Sequence, residues 1–179
     1  MIIILCLILA IAIIALFFAI YVMIVLFKTK VPFVKTPKKS IPLIIDNLPG
    51  EGSLTITDLG CGDADVLFAL EKSLPRAKLI GYELSPTAYI RARFKKWLKK
   101  SKVKLYYQDF YKADLSQIDV VFCFLITAVM PKLEKKLQRE LKSGALVISY
   151  GFTFPNWRPV KSLPNPDPKS RSRIHIYKR

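Results

Sequence analysis

Acidic residues are scarce in this chain: 13 Asp and Glu stand against 29 Lys and Arg, for a formal net charge of +16. Cysteine and histidine are scarcer still, at 3 and 1. Cys6, Cys61 and Cys123 fall in an apolar run, a glycine turn and an apolar strand, so they supply neither a disulfide framework nor zinc-ligand spacing, and no metal site is expected. The sole histidine, His175, has no serine elbow or cysteine near it and reads as structural. The phosphate-binding P-loop, G-x-S-x-G and H-E-x-x-H are all missing, which removes most of the support for kinase and hydrolase chemistry. The positive charge gives affinity for polyanions in general and names no specific nucleic acid.

Against that background the few acids are unevenly placed. Leu54-Thr55-Ile56-Thr57-Asp58-Leu59-Gly60-Cys61-Gly62-Asp63 reads as a buried strand running into a glycine turn and a helix, the place where an α/β fold holds a nucleotide-like ligand. A dinucleotide pyrophosphate wants G-x-G-x-x-G, but here the turn continues Asp63-Ala64-Asp65, with no third glycine and two carboxylates where phosphates would sit. The pattern argues against NAD and ATP and for a cofactor carrying positive charge, such as S-adenosylmethionine with its sulfonium and ammonium groups. Glu83 ends the next predicted strand, Lys78-Leu79-Ile80-Gly81-Tyr82-Glu83, where a carboxylate can accept hydrogen bonds from ribose. Asp109 ends a third, Val103-Lys104-Leu105-Tyr106-Tyr107-Gln108-Asp109. Aspartates after strands also serve as helix N-caps, a role open to Asp63 and Asp65.

Residues 2–27 form an unbroken apolar run, which as a helix reaches about 39 Å, more than a bilayer core needs. It lacks the basic start, short apolar region and small-residue cleavage site of a signal peptide. Lys28, Lys30, Lys35, Lys38 and Lys39 follow it, so the positive-inside rule predicts a single-pass membrane anchor with the C-terminal part in the cytoplasm. Residues 28–52 read as a linker with a short helix over 41–48 and a Pro49-Gly50-Glu51-Gly52 turn, and residues 53–179 as one domain.

From Leu54 onward strands and helices alternate, the signature of a mostly parallel sheet covered on both faces. Val66, Leu67, Leu70 and Leu74 stripe one helix that Pro75 closes. Ser85 caps the next, with Pro86 at its first position. Ile90, Phe94, Trp97 and Leu98 then give that helix what reads as a core stripe, with Arg91, Arg93, Lys95, Lys96, Lys99 and Lys100 on a solvated or lipid-facing side. A fourth strand over 119–125, a helix striped by Leu133, Leu137 and Leu141, and a fifth strand over 145–152 complete the alternation. Val160 to Leu163 and an edge-like strand, Arg173 to Lys178, suggest a terminal hairpin.

Residues 58–152 resemble the core of the class I S-adenosylmethionine-dependent methyltransferases, an α/β, Rossmann-like, seven-stranded sheet, mostly parallel with a C-terminal antiparallel hairpin. The closer resemblance is to the membrane-anchored protein lysine methyltransferases whose mitochondrial members act on the ATP synthase c-subunit and the adenine nucleotide translocase. That branch carries V-P-[FY]-V-x-T-P, D-L-G-[SC]-G-D, G-Y-E-L-[NS]-P and F-x-F-P-x-W-x-P. This chain has Val31-Pro32-Phe33-Val34-Lys35-Thr36-Pro37, Asp58 to Asp63, Gly81 to Pro86, and Phe152-Thr153-Phe154-Pro155-Asn156-Trp157-Arg158-Pro159. The resemblance implies that Gly60, Cys61 and Gly62 line the methionine part of the cofactor, that Asp58 holds its amino group, that Glu83 binds ribose, that Asp109 and Phe110 flank adenine, and that Thr36 closes over the site. Two departures stand out: Ala64 replaces the usual glycine, at a cost expected to be small because alanine is small, and Leu125-Ile126-Thr127 lacks the usual proline.

The implied function is transfer of a methyl group to lysine on a membrane or membrane-associated protein. Phe152, Phe154 and Trp157 are candidates for an aromatic channel that lowers the amine's pKa, or equally for core packing, and no catalytic base is assigned. A linker of about twelve residues spans at most about 40 Å, which favours acceptors at the cytoplasmic face of the membrane. The alternatives are a methyltransferase for lipids or small molecules, and a non-catalytic basic adaptor bound to the membrane.

Overall fold

A computed structural model describes residues 2–29, 35–49, 53–166 and 170–179. Residues 31–34 of the linker, 50–52 of the turn and 167–168 of the terminal loop lie outside the described residues. By its contacts the chain divides into two units, Met1–Pro32 and Phe33–Arg179.

The first unit holds α1, Ile2–Thr29. Its Ile3–Met23 stretch has a mean hydropathy of 3.4 and is not buried, so it is long and apolar enough to cross a bilayer.

The second unit begins with a 3₁₀ turn at Lys38–Ser40 and α2, Ile41–Ile45. Alternation follows: β1 (Thr55–Leu59), α3 (Asp65–Ser73), β2 (Lys78–Glu83), α4 (Pro86–Leu98), β3 (Lys104–Tyr107), β4 (Val120–Cys123), α5 (Met130–Glu140), β5 (Leu146–Tyr150), β6 (Lys161–Pro164) and β7 (Arg173–Lys178). The seven strands form one sheet in the order β3-β2-β1-β4-β5-β7-β6. β1 to β5 run parallel, and β7 is antiparallel to both β5 and β6.

Successive strand residues enter opposite cores, as a sheet buried on both faces requires. Val120 and Phe122 join Ile56, Ile148 and the α3 residues Leu67 and Leu70, whereas Val121 and Cys123 join Leu59, Val147 and the α5 residues Met130, Leu133 and Leu137. The chain reverses its winding between β1 and β4, so their carboxyl ends open the crevice where ligands bind in such sheets.

Two sequence expectations are corrected here. Ile90, Phe94, Trp97 and Leu98 do not pack into the core: α4 buries Ala88 and Ala92 instead, small residues that let it lie close to the sheet, and turns the larger apolar stripe outward. The Arg173–Lys178 strand is not an edge, because β6 covers it and becomes the edge itself. The N-terminus of α4 is as expected, with Pro86 in the first turn and Ser85 Oγ accepting from Ala88 N at 3.5 Å.

Candidate active site

The glycine turn is fastened to the next strand. Gly60 N and Cys61 N both donate to the Tyr82 carbonyl, at 2.9 and 3.0 Å. Gly60 and Gly62 have φ of 79° and 55°, left-handed values that favour glycine. Gly62 N donates to Glu83 Oε2 at 2.8 Å and Ser85 N to Oε1 at 2.7 Å, so the half-buried Glu83 carboxylate is held at the end of β2 with lone pairs still able to accept further hydrogen bonds.

Asp58 sits one strand over and is only 3% exposed. Burial, and then the charge of Glu83, push its carboxyl from 3.8 up to about 8. Near neutral pH it is largely protonated, and a cationic partner would relieve both penalties. Cys61 Sγ lies in the same environment, and burial with the Asp58 and Glu83 charges raises its thiol far above the ordinary range, which keeps it unreactive. Gly81 sits beneath: a Cβ there would lie 2.7 Å from Cys61 Sγ, 2.7 Å from Leu67 Cδ1 and 2.9 Å from Leu105 Cδ2. The glycine of the G-Y-E pattern is thus a packing necessity.

Asp63 and Asp65 are not helix caps, since Ala64 occupies the N-cap position of α3 without a side-chain bond. Asp63 instead accepts from Arg91 Nε at 2.8 Å and Lys95 Nζ at 3.2 Å, and pairs with Lys35 Nζ at 3.1 Å. Lys95 also reaches Asp65 at 2.7 Å. Burial alone would raise the Asp63 pKa, but the hydrogen bonds from Arg91, Lys35 and Lys95 outweigh it and hold the carboxyl below its usual value. The acidic focus seen in the sequence is therefore split: Asp63 is paired with cations, whereas Asp58 is held as a largely protonated carboxyl beside Glu83. Lys35 thereby ties the end of the linker to Asp63, and its neighbour Thr36 is half-buried.

Asp109 caps the 3₁₀ turn Phe110–Lys112, its Oδ1 accepting from Tyr111 N at 2.9 Å. The strand ends are adjacent, with Glu83 in register with Tyr107 and Gln108 N donating to the Glu83 carbonyl. Half-buried Phe110 packs its ring 4.6 Å from Tyr111.

On the other side of the crevice the Phe152–Pro159 loop is pinned at three points. Ser149 Oγ donates to the Phe152 carbonyl at 2.6 Å, Phe154 N to the Tyr177 hydroxyl at 3.2 Å, and Asn156 N to Glu134 Oε2 at 3.1 Å. Phe154 is 4% exposed and lies 5.6 Å from the Trp157 ring and 4.9 Å from that of Tyr177, so it is a core side chain that supports the loop. Phe152 and Trp157 remain half-buried. Sequence reasoning missed Glu134, Tyr177, Arg91, Lys95 and Lys35. Glu134 had a signal: it shares a helical face with Met130, Leu133 and Leu137, where a carboxylate needs a partner.

A doubly wound sheet with a terminal antiparallel hairpin, and a glycine turn flanked by acids at its switch point, define the class I methyltransferase fold. Solved structures agree: an RNA methyltransferase from Salinibacter ruber in complex with S-adenosyl-L-homocysteine superposes with a TM-score of 0.73 at 23% identity, over 81% of this chain and 93% of that one. The chain belongs to the ANTKMT methyltransferase domain family, whose profile matches residues 58–161. It is similar to the human lysine N-methyltransferase of the ATP synthase c-subunit, 36% identical over 135 residues, covering 74% of this chain and 56% of that one. It is 28% identical over 149 residues to a protein-lysine N-methyltransferase of Saccharolobus islandicus, covering 82% of this chain and 92% of the archaeal one. The chain spans little more than half the length of the animal relatives it matches, such as the human protein and, at 58%, the mouse adenine nucleotide translocase lysine N-methyltransferase.

Proposed function

We propose that this chain is an S-adenosylmethionine-dependent protein-lysine N-methyltransferase, anchored by α1 as a single membrane span, that acts on a membrane or membrane-associated protein. The observation that carries the reading is Asp58: a buried carboxyl raised to about 8, beside Glu83 and the glycine turn, is built to receive a cation. When bound, the cofactor supplies an electrophilic methyl group on a sulfonium. Asp58 would hold its amino group, Gly60, Cys61 and Gly62 line its methionine part, Glu83 accept from ribose, Asp109 and Phe110 flank adenine, and Thr36 cover the site. The half-buried Phe152 and Trp157 would border the acceptor amine in a low-dielectric setting that favours its uncharged form, with Phe154 beneath them. In-line displacement then needs alignment more than acid–base help. Names of the relatives, lysine N-methyltransferases of the ATP synthase c-subunit and of the adenine nucleotide translocase, support a lysine acceptor on a membrane protein. Lys28 in the last turn of α1 and Lys30, Lys35, Lys38 and Lys39 after it support a cytoplasmic domain.

Calorimetric titration of S-adenosylmethionine into the full chain in detergent tests the cofactor, with Glu83→Ala alongside. Saturable binding that the variant loses is expected, followed by radiolabelled methyl transfer to lysine in membrane fractions. No binding by a folded chain would end the methyltransferase reading. Label recovered only in extracted lipid would move the acceptor from protein to lipid.

A further inference from the structure

The outward stripe of α4 has no role in the site. Ile90, Phe94, Trp97 and Leu98 are 65%, 59%, 72% and 60% exposed, and the Phe94 and Trp97 rings lie 5.9 Å apart. Their spacing puts them on one side of the helix. A single exposed apolar side chain is ordinary, but four large ones in a row mark a surface that meets something. Arg93, Lys96, Lys100 and Ser101 join Trp97 and Leu98 around a shallow depression at the end of the helix. α4 itself contains no acid. The nearest carboxylates of the glycine turn, Asp63 and Asp65, are engaged by Arg91 and Lys95 of the same helix.

We propose that this face of α4 docks on an anionic lipid bilayer, with Phe94, Trp97, Ile90 and Leu98 entering the headgroup and upper acyl region and Arg93, Lys96 and Lys100 meeting lipid phosphates. Large apolar groups on a helix with a basic flank are the composition of an interfacial helix. Tryptophan suits that depth, with an apolar ring body and an N–H for the wet side. A second copy of the chain fits badly, since it would set one cationic rim against another in a protein of net charge +16. The proposal rests on the membrane-span reading of α1 for having a bilayer at hand, and on the α4 side chains for its chemistry.

The full chain, reconstituted in phosphatidylcholine vesicles with and without phosphatidylglycerol, tests it through quenching of tryptophan by acyl-brominated lipid. Trp97 and Trp157 are the only tryptophans, so subtracting the signal of Trp97→Phe isolates Trp97. Blue-shifted Trp97 emission that brominated anionic vesicles quench is expected, with the quenching reduced to the neutral-vesicle level by combined Arg93→Gln, Lys96→Gln and Lys100→Gln, and abolished by Phe94→Glu. Trp97 emission indifferent to brominated lipid overturns the proposal, as does equal quenching in neutral and anionic vesicles. Shielding of Trp97 from acrylamide that follows chain concentration instead of lipid makes the face an interface between copies and also overturns it. Carbonate washing separates the two readings. A chain that washes off yet shows the quenching loses its span and keeps the docking face; a chain that stays while Trp97 is unquenched does the reverse.

Discussion

Asp58 joins stability and ligand binding at a single carboxyl. Its folded-state pKa of about 8 exceeds the unfolded 3.8, so between these values the folded protein holds the extra proton, and stability falls as pH rises through that window. Asp58→Asn should therefore stabilise the free protein near pH 7.5 by a few kcal/mol, read as a higher melting temperature, with the advantage vanishing below pH about 4. The same variant should bind S-adenosylmethionine at least about tenfold more weakly, about 1.4 kcal/mol, and wild-type affinity should increase from pH 6 to 8 as the carboxyl ionises against its partner. Melting curves and calorimetry across pH check both halves; a variant less stable than wild type at pH 7.5 would refute the burial argument. Gly81→Ala should cost about 1 to 3 kcal/mol in urea unfolding, because its Cβ has no room between Cys61, Leu67 and Leu105. Residue identity at these positions was legible in the motif, but the reasons were not. Ala64 shows the limit: a size argument predicts little cost, yet its φ of 60° puts a buried Cβ in the left-handed region, a strain of about 1 to 2 kcal/mol that only the backbone reveals.

At the level of elements, α3 and α5 were readable from periodicity and α4 from its Ser85 cap, whereas the α3 cap and the orientation of α4 were not. The periodic stripe of α4 marks a common face but does not say whether that face meets the core. Ala88 and Ala92, which carry the packing, are too small to register as a stripe. The ion pairs that tie Lys35 of the linker, Arg91 and Lys95 to Asp63 join residues 28 and more positions apart, and no local pattern announces them. The Phe152–Pro159 loop is similar: its motif is plain, but the hydroxyl that fixes it comes from β7. Tyr177→Phe should leave the Phe154 N–H without its acceptor, lower stability by about 1 kcal/mol, and raise KM for the methyl acceptor while S-adenosylmethionine affinity stays unchanged. Calorimetry beside acceptor kinetics distinguishes this from general unfolding, which would weaken both.

For the whole molecule, the strand–helix alternation predicted the parallel sheet, and the two short segments either side of the proline-rich loop, where the alternation stops, predicted the hairpin. The place of β7 inside the sheet was hidden, since an alternating strand flanked by loops looks the same whether or not a neighbour covers it. The sheet order also has a consequence in time. β1, the strand that carries Asp58, lies between β2 and β4, and its register with β4 pairs Ile56 with Val120, so the centre of the sheet closes only after a long stretch of chain has been gathered in. Folding rates fall as contacts become more distant in sequence, and domains dominated by such pairings fold in about milliseconds to seconds. The cofactor crevice is thus a late product of folding, and until it forms, Val120, Val121 and Phe122 present an apolar strand to whatever the nascent chain meets, a hazard that chaperones exist to limit.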